Sequence, residues 1–398
     1  MDSIKNLFIV GPGPSSSHTI GPSKAAIDFI KDIKKVDKIV VTLYGSLALT
    51  GRGHFTDKAI QNSLKDIETE VYFDLEKKNL KHPNTMIFKA YLNEKEIKNQ
   101  TYYSIGGGQI VTDLKKDCKK AIYKLNHFSD INAYISRMNM SLVDYVNENE
   151  DNSLDKYLEQ TLDFMFKEVE NNLKKEGRIP GPLGLIRVAK KIYEDAINEQ
   201  NNESKLMLIS AFAYACLEGN ASGDIVVTAP TCGSCGILPA VLYYEYHFNH
   251  KDKKTLIDGL KVAGIFGNIC KENASISGAV LGCQAEVGVA TAMATAALCY
   301  INLLSTEQIE YGAEVALEHF LGLTCDPVLG YVQIPCIERN GIGAMRAYES
   351  FLYAKNIAPI RKNKVSFDKV VEAMRLTGNS LNADYKETSR GGLASIIK

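Results

Sequence analysis

The chain has 398 residues, with 46 basic against 47 acidic side chains, a formal net charge of -1 and a pI near 6.7. That length exceeds one ordinary hydrophobic core and favours two or three domains, with room to bury a catalytic centre. The charges are balanced and interspersed, so there is no basic face for nucleic acid or for an anionic membrane, and the expected partner is a small molecule.

The first residues, MDSIKNLFIVGPG, carry the acidic Asp2 and only a short apolar run before Gly11, which is not the pattern of a secretory signal. With nine cysteines in the chain, this points to a reducing compartment, and cytoplasm is the expectation. GPGPSSSHTIGPSKAA then sets Ser15, Ser16, Ser17, His18 and Thr19 between Gly/Pro breakers, ahead of a helix-compatible run. Hydroxyls and helix-start amides of this kind make a carboxylate receptor, and an ordinary capped loop is the plainer alternative. Residues 38–44, 70–75, 85–92 and 101–105 are rich in β-branched and aromatic side chains and are expected as strands. The loop YGSLALTGRGHFTD follows the first of them and carries His54, either a base at the rim of the sheet or a solvated loop histidine. His82 in KHPNTM has the same two readings.

From about Ser136 the pattern changes to helical periodicity, first in a charged, Asn-rich tract and then, after the breaker GRIPGPLG, in Ala/Leu/Ile-rich segments. The expected class is α+β, with a small N-terminal α/β domain at 1–128, a connector at 129–165 and a mostly helical domain at 166–398. NEQNNESK reads as a solvated turn between helices. Val287 to Leu304 runs uncharged for long enough to raise the membrane question, but its Ala, Thr and Gly content predicts a closely packed core helix.

Three cysteines stand out. Cys283 in GAVLGCQAEVG, Cys325 in LTCDPVLG and Cys336 in QIPCIERN have polar, Gly/Pro-punctuated neighbours, unlike Cys299 in ATAALCYINLL. They read as a metal or iron-sulfur site, since three thiolates can hold three irons of a cubane and leave the fourth open. The spacing alone leaves three unrelated thiols as the alternative. Cys232 and Cys235 form one C-x-x-C, a redox pair or half of a zinc site, without the second half or the βαβ setting. Lys271, Glu272 and Asn273 precede small residues that allow close backbone approach to a ligand, and ETSRGGLASIIK brings Ser389 and Arg390 to a tail whose ordering would require something to bind.

GPSSSHTIGP, YGSLALTGRGHFTD, KENASISGA, GCQAEVGVA, LTCDPV, QIPCIERN and YKETSRGGLA, in that order and spread over almost the whole chain, resemble the iron-sulfur-dependent L-serine dehydratases, or L-serine ammonia-lyases. The resemblance implies a single-chain form in which an α/β domain and a helical domain are fused. It makes Cys283, Cys325 and Cys336 ligands of a 4Fe-4S cluster whose fourth iron accepts the substrate hydroxyl, with no PLP, and it implies conversion of L-serine to pyruvate and ammonia, a role in serine degradation and gluconeogenesis, and a homodimer. Within that frame Ser15, Ser16, Ser17, Thr19, Asn273, Arg339 and Arg390 are the expected substrate-binding groups, and His54, then His18, the expected base. Two departures from the family pattern stand in this sequence. No cysteine follows Cys336, where relatives often carry one after SRGGLA, and TAPTCGSCG stands where relatives commonly read TAPTNGAAG. A water-capped fourth iron is therefore expected, with Cys232 or Cys235 as substitute caps. Two other functions remain open at this point, a related lyase acting on L-cysteine and a non-catalytic amino-acid sensor.

Overall fold

The computed structural model describes residues 1–113, 121–199 and 203–397; Cys118 and the centre of the NEQNNESK tract lie outside the described residues. A short strand β1 (Val10–Pro12) precedes helix α1 (Ile20–Ile30). Five strands then build one sheet: β2 (Lys38–Gly45), β3 (Glu68–Asp74), β4 (Asn84–Leu92), β5 (Lys95–Gly106) and β6 (Gln109–Thr112), in the order β3-β2-β4-β5-β6. The pair β2 and β3 is parallel, and the crossover this requires carries α2 (Ser46–Thr50) and α3 (Thr56–Ser63). Ile39, Val41 and Leu43 face Ala90, Phe88 and Met86 across the antiparallel β2–β4 pair. The two-residue period puts all six on one face, where Ala25, Ala26 and Phe29 of α1 and Ile60 of α3 close the core. All four expected strands are present. Of the strands that the sequence did not announce, β1 and β6 are short and bordered by glycine, and a third lies in the helical half.

The larger core is helical. Residues 129–165 contribute to it through α4 (Phe128–Met138), α5 (Leu142–Asn149) and α6 (Leu154–Asn172), with Ile131, Ile135, Val146, Leu158 and Leu162 buried. α7 (Ala189–Glu199) and α8 (Ser204–Ala221) follow, then strand β7 (Ile225–Val227) and α9 (Ile237–His247). Next come α10 (Lys253–Asn273), α11 (Gly278–Leu281), α12 (Val287–Ile301) and α13 (Thr306–Glu318). α14 (Cys336–Asn356), α15 (Phe367–Ser380) and α16 (Leu393–Ile396) complete the chain. α12 is apolar on every side and packs among α9, α10, α13 and α14. The stretch Cys283–Ile301 is long and apolar enough to cross a membrane, but 89% of it is buried by the protein, as the core-helix reading expects.

The first twenty residues belong to this helical core rather than to the sheet domain. β1 pairs antiparallel with β7, Val10 opposite Val227. The Asn268 amide donates to the Asp2 carbonyl at 2.8 Å, and the Asn220 amide to the Pro14 carbonyl at 2.8 Å. Residues 13–19 are thereby fixed where the two domains meet.

Candidate active site

Cys283, Cys325 and Cys336 are brought together from three segments. Cys283 opens a short 3-10 turn ahead of α12, Cys336 is the first residue of α14, and Cys325 lies in the connection between α13 and α14. All three are buried and within electrostatic reach of one another. Burial pushes the Cys283 thiol up to about 11, although Arg339 opposes this. Cys325 and Cys336 are pushed up by burial and by neighbouring acids and thiols. Three thiolates cannot share this space without compensating positive charge, so the donor set fits a metal centre and is ill-suited to remain as free thiols in ionised form.

Arg339 supplies one cation. Its guanidinium donates to the Thr324 carbonyl at 2.7 Å and to Asp326 Oδ1 at 2.9 Å. These contacts correct its expected role as an open clamp for a substrate carboxylate, because protein acceptors already hold it beside the cysteines. The tail secures this arrangement. Cys325 N–H donates to the Tyr385 carbonyl at 2.8 Å, and Glu387 N–H to the Cys325 carbonyl at 2.8 Å. Asp326 Oδ2 accepts the Leu393 N–H at 2.9 Å. Ordering of ETSRGGLA is thus explained by what it grips, but Arg390 itself is exposed, not directed into the site.

A buried polar group drawn from residues 15–18 and from the sheet domain comes into electrostatic reach of Cys325 and Cys336 through Glu387. His18 and His54 are fully buried, with ring centroids 4.3 Å apart in an edge-to-face arrangement. His18 Nδ1 lies 3.0 Å from Ser17 Oγ and 3.2 Å from Ser15 Oγ, and its Nε2 lies 2.9 Å from Thr50 Oγ1. Thr50 has one hydroxyl hydrogen, which goes to the Ser46 carbonyl at 3.0 Å. Thr50 Oγ1 must therefore accept from His18 Nε2–H, and it also faces His54 Nδ1 at 3.4 Å. With the His54 proton on Nδ1, its Nε2 is a lone pair, and that atom is buried without a hydrogen-bond partner. Desolvation holds His18 down at about 3 and His54 well below the ordinary 6.5, the latter aided by His18. Both rings are neutral near pH 7, and His54 Nε2 has the form of a proton acceptor.

Glu387 Oε1 accepts from Ser15 Oγ at 3.3 Å and lies 3.5 Å from His18 Nδ1. Burial raises this carboxyl well above its usual range, with Glu286 adding to the effect, while burial lowers His18. Burial thus disfavours charge on both partners, and a cation beside Glu387 would favour its ionised form. Glu286, in the quoted GCQAEVG, accepts from Thr231 Oγ1 at 2.7 Å and lies 3.8 Å from Cys325 Sγ. A side chain at Gly278 would come within 2.4 Å of Glu286 Oε2 and 3.1 Å of Cys325 Sγ, so this position has room only for glycine.

Other expected site residues take different positions. Thr19 Oγ1 donates to the Pro12 and Ser15 carbonyls, both at 2.7 Å, which makes it a loop brace. The N–H groups of His18, Thr19, Gly21 and Ser23 are engaged by the carbonyls of Ser15, Ser16 and Thr19, so none of these amides is free for a carboxylate. Ser16 is buried beside them. Asn273 donates to the carbonyls of Asn126 and Ile269 and ties α10 to the start of the helical core. In KENASISGA it is Ser277, with a buried and unpartnered hydroxyl, and Gly278 that reach the site. His82 Nδ1 accepts the Asn84 N–H at 3.1 Å, a turn contact. Cys235 Sγ lies 3.9 Å from Glu168 Oε1 and Cys232 Sγ 4.0 Å from the Pro12 carbonyl, and neither stands among the three site cysteines. The residues not anticipated, Ser46, Thr50, Glu286, Asp326 and Glu387, all lie inside or next to motifs quoted above; an acid opening an apolar helix and an acid in a Gly-rich tail were the available signals.

Residues 3–72 match the model of the serine dehydratase beta chain and residues 75–394 that of the serine dehydratase alpha chain. The chain belongs to the serine dehydratase family. It joins both parts in one polypeptide, as the motif order implied. The chain is 38% identical to "L-serine dehydratase 2" of Escherichia coli K12 over 100% of its own length and 99% of the relative's. It is 39% identical to "L-serine dehydratase" of Haemophilus influenzae and 37% identical to that of Helicobacter pylori strain 26695, in each case over 100% of this chain and 99% of the relative.

Proposed function

We propose that this chain is an L-serine ammonia-lyase that forms pyruvate and ammonia, with Cys283, Cys325 and Cys336 holding a 4Fe-4S cluster. The observation that carries this reading is the gathering of three buried thiols about Arg339, with Glu387 between them and a buried histidine pair in which His54 Nε2 has no partner. When bound, such a cluster supplies a Lewis acid for the β-hydroxyl, a leaving group too poor to depart unaided. His54 Nε2 takes the Cα proton. Its Nδ1–H is directed at Thr50, and the hydroxyl chain through His18, Ser15 and Ser17 keeps both rings in one tautomer. Ser15, Ser17 and Ser277 provide hydroxyls for the substrate carboxylate, and burial excludes water from the base. Loss of the hydroxyl and the Cα proton leaves aminoacrylate, which tautomerises and hydrolyses to the keto acid and ammonia. Arg339 balances thiolate charge. We extend the reading to a cytoplasmic homodimer, for which light scattering is the direct measurement.

Anaerobic reconstitution followed by iron and sulfide determination, with pyruvate from L-serine and sulfide from L-cysteine assayed on the same preparation, tests the proposal. Four irons per chain with serine turnover are expected. Sulfide release with little pyruvate would shift the reading to a cysteine lyase, and serine binding by iron-free protein at full affinity would favour a sensor.

A further inference from the structure

We propose that Glu387 binds the substrate's α-ammonium group and is the residue that selects an amino acid over the corresponding hydroxy acid. The inference rests on the lyase reading above, and it concerns the one charged group of serine for which that reading names no partner. An ammonium carried into a water-excluded site needs a carboxylate acceptor.

Three acids stand near the cysteines. Asp326 has one oxygen on Arg339 and the other on the Leu393 N–H. Glu286 is held by Thr231 through one oxygen and faces the Cys325 thiol with the other, with Gly278 pressed against it. Glu387 is placed differently. One of its oxygens and one nitrogen each of His18 and His54 all lie within 4.8 Å of one another, which puts its carboxyl beside the ring whose Nε2 has no partner. It is fixed from both domains: its N–H donates to the Cys325 carbonyl, and its carbonyl accepts from Ser46 Oγ at 2.7 Å. Its φ of 58° lies in the left-handed region, uncommon for a residue with a side chain. Backbone strain retained under such constraint marks a side chain whose direction matters. The same three groups are poorly arranged for a metal ion, because both His18 nitrogens already face hydroxyls. An ammonium asks only for an acceptor, which the Glu387 carboxylate provides.

The test uses the reconstituted holoenzyme and two ligands: L-serine, and glycerate, in which a hydroxyl replaces the ammonium. Calorimetric affinity and competitive inhibition are measured for the wild type, Glu387→Gln and Glu387→Asp, with iron and sulfide determined on each. Wild type should prefer serine. Glu387→Gln should weaken serine by about 100-fold, the cost of leaving a buried charge without its partner, and leave glycerate unchanged. Glu387→Asp, which keeps the charge and tolerates positive φ, should fall between the two. Equal loss of both ligands, or loss of neither, overturns the proposal, as does wild-type protein that binds glycerate as tightly as serine; this last measurement needs no variant to fold. Absence of cluster or of serine turnover in the wild type would instead overturn the lyase reading.

Discussion

Among the described residues two trios of buried cysteines each stand beside a buried or half-buried glutamate, and they differ in the charges around them. Cys216, Cys232 and Cys235 surround Glu168 between α6, α8 and α9, and every charged group acting on them is acidic. Glu168, desolvated, is raised well above its usual range and faces the Cys235 thiol. That trio is neutral and closed. Cys283, Cys325 and Cys336 have Arg339 among them, with Glu387 of the polar network in electrostatic reach of Cys325 and Cys336. Clustering and burial of thiols are therefore insufficient; charge compensation and an unpartnered polar atom nearby separate a ligand set from core packing.

The largest effect expected from this contrast is on iron. Cys283→Ser, Cys325→Ser and Cys336→Ser should each abolish the cluster's visible absorption and turnover, because a hard oxygen donor replaces a soft thiolate. Cys216→Ser and Cys235→Ser should keep the iron complement. Full iron in any of the first three, or its loss in either of the last two, breaks the comparison.

Next in size is the base. His54→Gln should lower kcat by about 100- to 10,000-fold with iron retained. Because burial and His18 depress the His54 pKa, the acidic limb of wild-type kcat/KM should lie below the ordinary histidine value of 6.5, activity being lost only as pH falls far enough to protonate Nε2. A limb centred at 6.5 would place the base elsewhere.

The two arginines named from sequence should separate. Arg339→Lys should reduce kcat/KM about 10-fold and shorten cluster lifetime in air, since an ammonium cannot serve Thr324, Asp326 and Cys283 together. Arg390→Lys should leave both measurements unchanged. The smallest effect is at Asn273, where Ala should cost about 1 kcal/mol in urea unfolding through the lost contact to Asn126 and leave serine kinetics intact.

What could be read from the sequence followed its local composition and, in the helical half, its periodicity. β-Branched and aromatic enrichment announced β2 through β5, and polar neighbours singled out three cysteines that the fold gathers around Arg339. Partners of side chains were hidden: nothing in one dimension shows that Arg339 is engaged by Asp326 or that Asn273 faces Asn126. The three-residue pair β1 and β7 escaped because neither strand is long enough to alternate. Glu387 was in view within a quoted motif but had no visible meaning without His18, which lies at the other end of the chain.

The contact between Ser15 and Glu387 spans 372 residues, which gives assembly of the protein an order in time. During synthesis Cys283, Cys325 and Cys336 leave the ribosome before the segment from Tyr385 to Leu393 that clasps Cys325 and Asp326. The thiols are accessible while that clasp is still being made, and docking of the clasp then joins them to histidines synthesised long before. Loading of the proposed cofactor has its natural interval between those two events, and docking of the clasp would then close the site.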